Sequence, residues 1–148
     1  IRECMPWFEE PFAEDGTPKE GLAAYGEETL YSLGGEASVE AQIDDPDSLY
    51  AHYKELIGMR KQIPALMNGD IDEYVLDSQQ ILSYIRMTKD QRVLVLVNLT
   101  GEALTQDLPE DPNYGSFSRV LFQSSQDTGS QLDGSTVTIA PYSMLVLE

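Results

Sequence analysis

Between Gln80 and Thr100 the sequence QILSYIRMTKDQRVLVLVNLT alternates as two strands joined by a short polar turn at Lys89-Asp90-Gln91. In the second strand Val93, Val95, Val97 and Leu99 point one way, and Leu94 and Leu96 point the other. A strand apolar on both faces has to be covered on both, which predicts a central position in its sheet. Its β-branched content suits a pleated surface packed above and below. The first strand is amphipathic: Ile81, Ile85 and Met87 share a face with Ser83, while Leu82, Tyr84 and Arg86 take the other. Such a hairpin is expected to nucleate an antiparallel β-layer.

One helix is predicted, over DDPDSLYAHYKELIGMRKQIP. Asp45 is a candidate N-cap with Pro46 in the first turn, where a missing N–H leaves nothing unsatisfied. Leu49, Tyr53, Leu56, Ile57 and Arg60 recur at helical spacing and form one apolar stripe ending in a charge. Arg60 and Lys61 suit the C-terminal end of the helix dipole, and Pro64 stops the helix. The stripe is expected to bury against something.

Asn68-Gly69-Asp70 is a turn signal, with a strand predicted near 71–76 before the hairpin. Weaker strands are predicted near 103–108 and 117–123, followed by a polar loop over 124–135. A last strand pair, 136–139 and 143–147, is expected around Ala140-Pro141-Tyr142. Short strands at close spacing indicate a sandwich rather than βαβ units. Residues 1 to about 45 read as loop, with Pro6, Pro11 and Pro18, five glycines and no sustained period. That is long for a compact domain. The apolar cluster Met5, Pro6, Trp7, Phe8 and Phe12 suggests that it lies over a neighbour. The fold class expected is mainly β: a C-terminal antiparallel β-sandwich preceded by a long loop segment and one amphipathic helix.

Composition narrows the possible functions. The formal net charge of the 148 residues is -17, which argues against binding a phosphate backbone and so against nucleic acid. The imbalance is concentrated early: residues 1–47 carry 13 acidic and 2 basic side chains. That stretch is a poor candidate for an autonomous core. No apolar run is long enough for a transmembrane helix, and no membrane partner is expected. The single cysteine, Cys4, excludes an intrachain disulfide and a multi-thiolate zinc site; the compartment stays open.

Three stretches resemble the C-terminal part of glycoside hydrolase family 13, the α-amylase superfamily. Arg2-Glu3-Cys4-Met5-Pro6-Trp7 is similar to the R-x-P-M-x-W signature that follows the eighth barrel strand in α-glucosidases and related amylases, with Cys4 in place of the usual Pro. Val39-Glu40-Ala41-Gln42 followed by Asp45-Pro46-Asp47-Ser48-Leu49 resembles the family's approach to its last barrel helix. Tyr53 to Lys61, with Pro64-Ala65-Leu66 and Gly69 beyond, looks like that helix and its exit. Val93 to Thr100 then matches the V-x-V-x-x-N-(F/L)-(S/T) strand of the family's C-terminal sandwich. Residues 9–37 lack the W-I-P-V-N stretch typical of oligo-1,6-glucosidases.

The resemblance implies that residues 1–64 are the tail of a (β/α)8 catalytic barrel and residues 65–148 its C-terminal sandwich. It implies a parent enzyme acting on an α-glucan or maltooligosaccharide, with the upstream catalytic barrel as partner. Such an enzyme needs one carboxylate as nucleophile and another as general acid/base, about 5 Å apart, at the ends of barrel strands. No G-F-R-x-D-like or N-H-D-like motif occurs in these residues, so no catalytic residue is assigned and the chain alone is expected to be inactive. A carbohydrate-binding module, or a purely structural or oligomerising sandwich, is the alternative.

The substrate-binding candidates are Arg2 and Trp7. The motif implies that Arg2 lies near the rim of the cleft, where a guanidinium can hydrogen-bond sugar hydroxyls; the alternative is pairing with a carboxylate. Trp7 either stacks on a sugar or packs beneath the barrel. No cofactor and no metal site are expected. The acidic runs at Asp44–Asp47 and Asp70–Glu73 lack an EF-hand pattern and are explained by capping and solvation. His52 lies off the helix stripe, and Cys4 has no histidine nearby. Asn98-Leu99-Thr100 fits a glycosylation sequon, but a central strand would bury Asn98. The scattered tyrosines are read as packing residues.

Overall fold

The computed structural model describes residues 7–10, 12–17, 19, 35–124 and 127–148. The chain divides into two compact units, Ile1–Lys54 and Glu55–Glu148, with the boundary inside a helix.

In the first unit a 3-10 turn at Gly35–Ala37 leads into helix α1, Val39–Gln42, a stretch expected from the sequence to be loop. Ser38 caps α1, its Oγ accepting the Ala41 N–H at 3.1 Å. Helix α2, Leu49–Gln62, begins later than the sequence suggested. Its cap is Ser48, whose Oγ accepts the Ala51 N–H at 3.1 Å. Asp45 instead closes the preceding turn, accepting the Asp47 N–H at 2.9 Å, and Pro46 lies in that turn. A serine already held by the Gln42 and Asp45 carbonyls, 2.8 and 2.7 Å from its hydroxyl, is better placed to cap.

In the second unit α2 ends at Gln62, and Pro64 opens a short helix α3, Pro64–Asn68. Proline stops one helix and starts the next for the same reason: it has no N–H to give and its φ is already helical. Eight strands follow. β1 is Asp70–Glu73, β2 Ile81–Met87, β3 Arg92–Asn98, β4 Leu104–Asp107, β5 Val120–Gln123, β6 Gln131–Asp133, β7 Thr136–Ile139 and β8 Met144–Leu147. A five-stranded antiparallel sheet runs in the order β1-β2-β3-β8-β5, and a three-stranded one in the order β4-β7-β6. The predicted hairpin is present, with Ile81 opposite Asn98 and Met87 opposite Arg92.

Two expectations fail. The polar stretch 124–135 contains a strand, β6, formed because Leu132 alone turns inward between Gln131 and Asp133. And β7 and β8 are not partners. β7 pairs with β4 and β6, whereas β8 pairs with β3 and β5. The link at Ala140–Ser143 therefore carries the chain from one sheet to the other.

The central strand is buried on both faces, as its sequence requires. Leu94 and Leu96 join Ile81, Ile85, Leu145 and Leu147, with Val137 and Ile139 from the small sheet, in the core between the sheets. Val93, Val95 and Val146 face away and pack with Ile63, Ala65 and Leu66, so α3 and the end of α2 cover that side. The mainly β, two-sheet class is thus observed, with three layers rather than two.

Of the predicted stripe only Leu56 and Arg60, which line a hollow against the large sheet, turn toward it. Met59, with Ile63 at the end of the helix, packs on the Val93–Val146 cluster. Leu49, Tyr53 and Ile57 stand 63%, 60% and 52% exposed. Those three side chains of the stripe stay uncovered among the described residues.

Candidate functional site

Arg2 and Cys4 lie outside the described residues. Trp7 is described, in the first unit, and is 47% exposed. Its position comes from the backbone: its carbonyl oxygen accepts the Glu40 N–H at 3.0 Å. The Glu40 carboxylate accepts the Glu9 N–H at 2.9 Å and lies 3.9 Å from the Lys19 ammonium. Lys19 in turn sits 5.1 Å above the Phe8 ring. A glutamate at the start of α1 therefore fixes the strap bearing Trp7, where its charge also complements the helix dipole. The sequence offered no sign of this, since Glu40 is one acidic residue among many.

Within the second unit the aromatic pair among the described residues is Tyr74 with Phe117, edge to face at 5.9 Å and buried. Tyr142 is exposed at the crossover, with its ring over Gly101, and has no described ring beside it. Among the described residues no cluster of His, Cys, Asp and Glu could hold a metal ion. His52 and the acidic run at Asp70–Glu73 gain no such role; Asp72 instead accepts a hydrogen bond from the Tyr114 hydroxyl, which holds its carboxyl below the ordinary range.

Of the hollows lined by described residues of this unit, two have basic side chains in their walls. One, about 450 Å³, lies at the β2–β3 turn and is lined by Lys89, Gln91, Arg92, Asn113, Tyr114 and Glu148. Its side chains are mutually tied: Gln91 accepts the Ala65 N–H at 3.1 Å and donates to Glu148 at 3.0 Å. Arg92 rests 5.3 Å from the centre of the Phe117 ring. Hydrogen bonds from Arg119 and Gln91 hold the Glu148 carboxyl below its ordinary value.

The other hollow, about 200 Å³, lies between the end of α2, α3 and the outer face of the large sheet. Leu56, Met59, Leu66, Tyr84, Val95 and Met144 give it apolar walls, and Arg60 and Arg86 also reach it. Arg86 donates through Nη2 to the Gly69 carbonyl oxygen at 2.6 Å, while its Nε is buried with no hydrogen-bond partner. The sequence placed Arg86 on one strand face with Leu82 and Tyr84 and Arg60 at the end of the helix stripe, with no sign that both reach one hollow.

Residues 81–146 match the family described as Alpha-amylase SusG C-terminal domain. The chain is 35% identical over 82 residues to palatinase of Erwinia rhapontici, covering 55% of this chain and 15% of that protein. It is 27% identical over 113 residues to an oligo-1,6-glucosidase of Bacillus cereus, covering 76% and 20%. The solved structure of an α-amylase from H.orenii superposes with a TM-score of 0.69 at 24% identity, over 97% of this chain and 27% of that one, a likeness of fold. The chain spans between about a seventh and about a quarter of the lengths of these proteins. The family match and the two-sheet fold together identify residues 81–146 as a C-terminal β-domain of the α-amylase and oligo-1,6-glucosidase enzymes, glycoside hydrolase family 13.

Proposed function

We propose that the chain is the C-terminal part of an enzyme acting on α-glucans or maltooligosaccharides. Residues 1–64 would supply the end of its catalytic (β/α)8 barrel, including the last barrel helix, and residues 65–148 the sandwich that supports the barrel. The observation that carries this reading is α2. Its stripe of Leu49, Tyr53 and Ile57 is amphipathic in sequence yet exposed, beside a domain of a family whose relatives are several times longer. Burying each such side chain stabilises by roughly 1.5–3 kcal/mol, which favours a covering partner over solvent. The upstream barrel is that partner.

In such an enzyme a nucleophilic carboxylate and an acid/base carboxylate act through a covalent glycosyl intermediate. Neither comes from this chain, whose part is mechanical: it anchors the last barrel helix. Arg2 would hydrogen-bond sugar hydroxyls at the rim of the cleft, with Trp7 on the strap beside it.

The test compares the purified chain with a polypeptide that continues upstream into a barrel, on maltooligosaccharides and on α-1,6-linked glucosides. Hydrolysis by the longer protein alone is the expected result. Turnover by the pure 148-residue chain overturns the reading.

A further inference from the structure

The hollow between α2, α3 and the large sheet has mostly apolar walls, yet Arg60 and Arg86 also line it. Among the described residues neither Arg60 nor Arg86 has a carboxylate partner; the ion pairs there are Lys19–Glu40, Lys89–Asp90 and Arg119–Glu148. That is unexpected in a chain with 26 acidic and 9 basic side chains, where a free carboxylate is the commonest charged neighbour. Arg86 is also held in place, by its bond to the Gly69 carbonyl, while its Nε is buried and unsatisfied. A buried donor without an acceptor is costly, and an unpaired charge at an apolar wall more so. The arrangement gains from one kind of visitor: a carboxylate, which accepts from both guanidiniums while its alkyl stem lies against Leu56, Met59 and Met144.

We infer that this hollow is a socket for a single Asp or Glu side chain, presented by the surface that covers the outer face of the large sheet. On the function proposed above, on which this identification rests, that surface belongs to the catalytic barrel. Ile57 and Leu82 are exposed apolar side chains of the same unit that such a surface would cover as well. Charge complementarity sets the choice of occupant. An apolar partner alone would leave both arginine charges unpaired, and a basic one would be repelled. The pair of arginines then fixes the register of sandwich on barrel, which apolar contact by itself leaves loose.

The test uses butyrate as a stand-in for a glutamate side chain and butyramide as its neutral isostere. Both are titrated into the 148-residue chain while the arginine Nε–H resonances are followed by NMR. Butyrate is expected to shift the Arg86 and Arg60 signals saturably, and butyramide to leave them in place. Arg86→Gln is expected to weaken butyrate binding about tenfold or more, the loss of a charge-assisted hydrogen bond. Arg60→Gln, at an exposed helix position, gives the same direction of change if Arg86→Gln unfolds the domain. Equal response to butyramide, or no saturable shift, overturns the inference. In the longer polypeptide the socket is expected to be filled and butyrate to have no effect. Equal butyrate binding there would show an open small-carboxylate site and also overturn it. Loss of glycosidase activity in the longer protein tests the proposed function separately, because the titration of the short chain does not depend on it.

Discussion

The side-chain amide of Asn98 donates to the carbonyl oxygen of Ala140 at 2.9 Å, joining the end of the central strand to the link between the two sheets. The same amide reaches the carbonyls of Glu102 at 2.7 Å and Ile139 at 3.1 Å. Its oxygen accepts from the Thr100 N–H at 2.9 Å and the Thr100 hydroxyl at 2.8 Å. Asn98 is 1% exposed, and its bond to the Ile139 carbonyl is fully buried, so that amide has no water to turn to. The asparagine of the family's strand motif is therefore the clasp that closes the sandwich, and its sequon is inaccessible in the folded chain. Replacing Asn98 with Ala is expected to cost about 2–4 kcal/mol, since each buried group left unsatisfied costs about 1–3. Urea denaturation measures this; a loss below about 1 kcal/mol would show that water replaces the amide. Asn98→Asp is expected to be worse at neutral pH than near pH 4, because a carboxylate facing three carbonyls is stabilised only when protonated.

How much of this was legible in the sequence depends on the range of the cause. The β2–β3 hairpin was readable because both its turn and its faces are written in consecutive residues, and Val93 to Asn98 could be nothing but central. Asn98 was readable as buried, though not as a clasp, because its partners Ile139 and Ala140 lie 41 and 42 residues away. The same distance hid the sheet change at Ala140–Ser143: a short link between two strands looks like a hairpin, and only the pairing of β8 with β3 shows that it is not. β6 was missed because three residues with one inward leucine carry almost no periodic signal. Ser48 was passed over as cap because Asp45-Pro46 is the stronger local pattern, and the hydrogen bonds to Gln42 that settle the matter belong to the previous helix. Of the candidate site residues, Arg2 lies outside the described structure. Trp7 sits on a strap whose anchor, Glu40, had no signature in sequence.

The exposed stripe of α2 gives a contrast between two kinds of apolar residue. Ile57→Gln on the helix surface is expected to change the stability of the 148-residue chain by less than about 0.5 kcal/mol, as surface substitutions do. Leu96→Ala, fully buried between the sheets, is expected to cost about 2–5 kcal/mol. In a polypeptide carrying the barrel the difference should narrow, because Ile57 is then covered as well. Thermal denaturation of both variants in both proteins reads this directly. If Ile57→Gln is as silent in the longer protein as in the short one, α2 does not dock by this stripe.

Acid should loosen the chain around Asp127, between β5 and β6. Burial pushes the Asp127 carboxyl up, but Ser130 and Gly129, whose N–H groups donate to it, outweigh that and hold it below the ordinary carboxylate range. The two N–H donors lie 2.9 and 3.0 Å from Oδ1. With the folded value depressed, the stabilisation is fully present above the unfolded value of about 3.9 and is lost as pH falls through the folded one. The stability difference between the wild type and Asp127→Asn is therefore expected to be constant from about pH 7 to about pH 5 and to shrink below about pH 4. Denaturant titrations across that range decide it. A difference that stays the same at low pH removes Asp127 from the account and leaves Asp72, depressed by its bond from Tyr114, and Glu148, depressed by its bonds to Arg119 and Gln91, as the remaining sources among the described residues of this unit.

Gly69 is where α3 is pressed against the end of β2. Its N–H donates to the Ala65 carbonyl at 3.0 Å, closing the helix. A Cβ at this position would stand 2.7 Å from the Met87 carbonyl oxygen and nearer still to that of Ala65, both backbone atoms that no rotamer change can move. Its φ of -74° is ordinary, so the requirement is space, not backbone conformation. Gly69→Ala is therefore expected to destabilise the chain by about 1–3 kcal/mol, the usual cost of forcing an extra methyl into a packed contact. The displacement also has a specific consequence. The Gly69 carbonyl is the acceptor that orients Arg86 at 2.6 Å, so pushing α3 away frees that guanidinium. The Arg86 Nε–H resonance should broaden or move in Gly69→Ala and stay put in Gly58→Ala, where a Cβ meets nothing within 4 Å. An unchanged Arg86 signal in Gly69→Ala would mean that the sheet alone holds the arginine, and that the fit between α3 and β2 serves stability without positioning the socket.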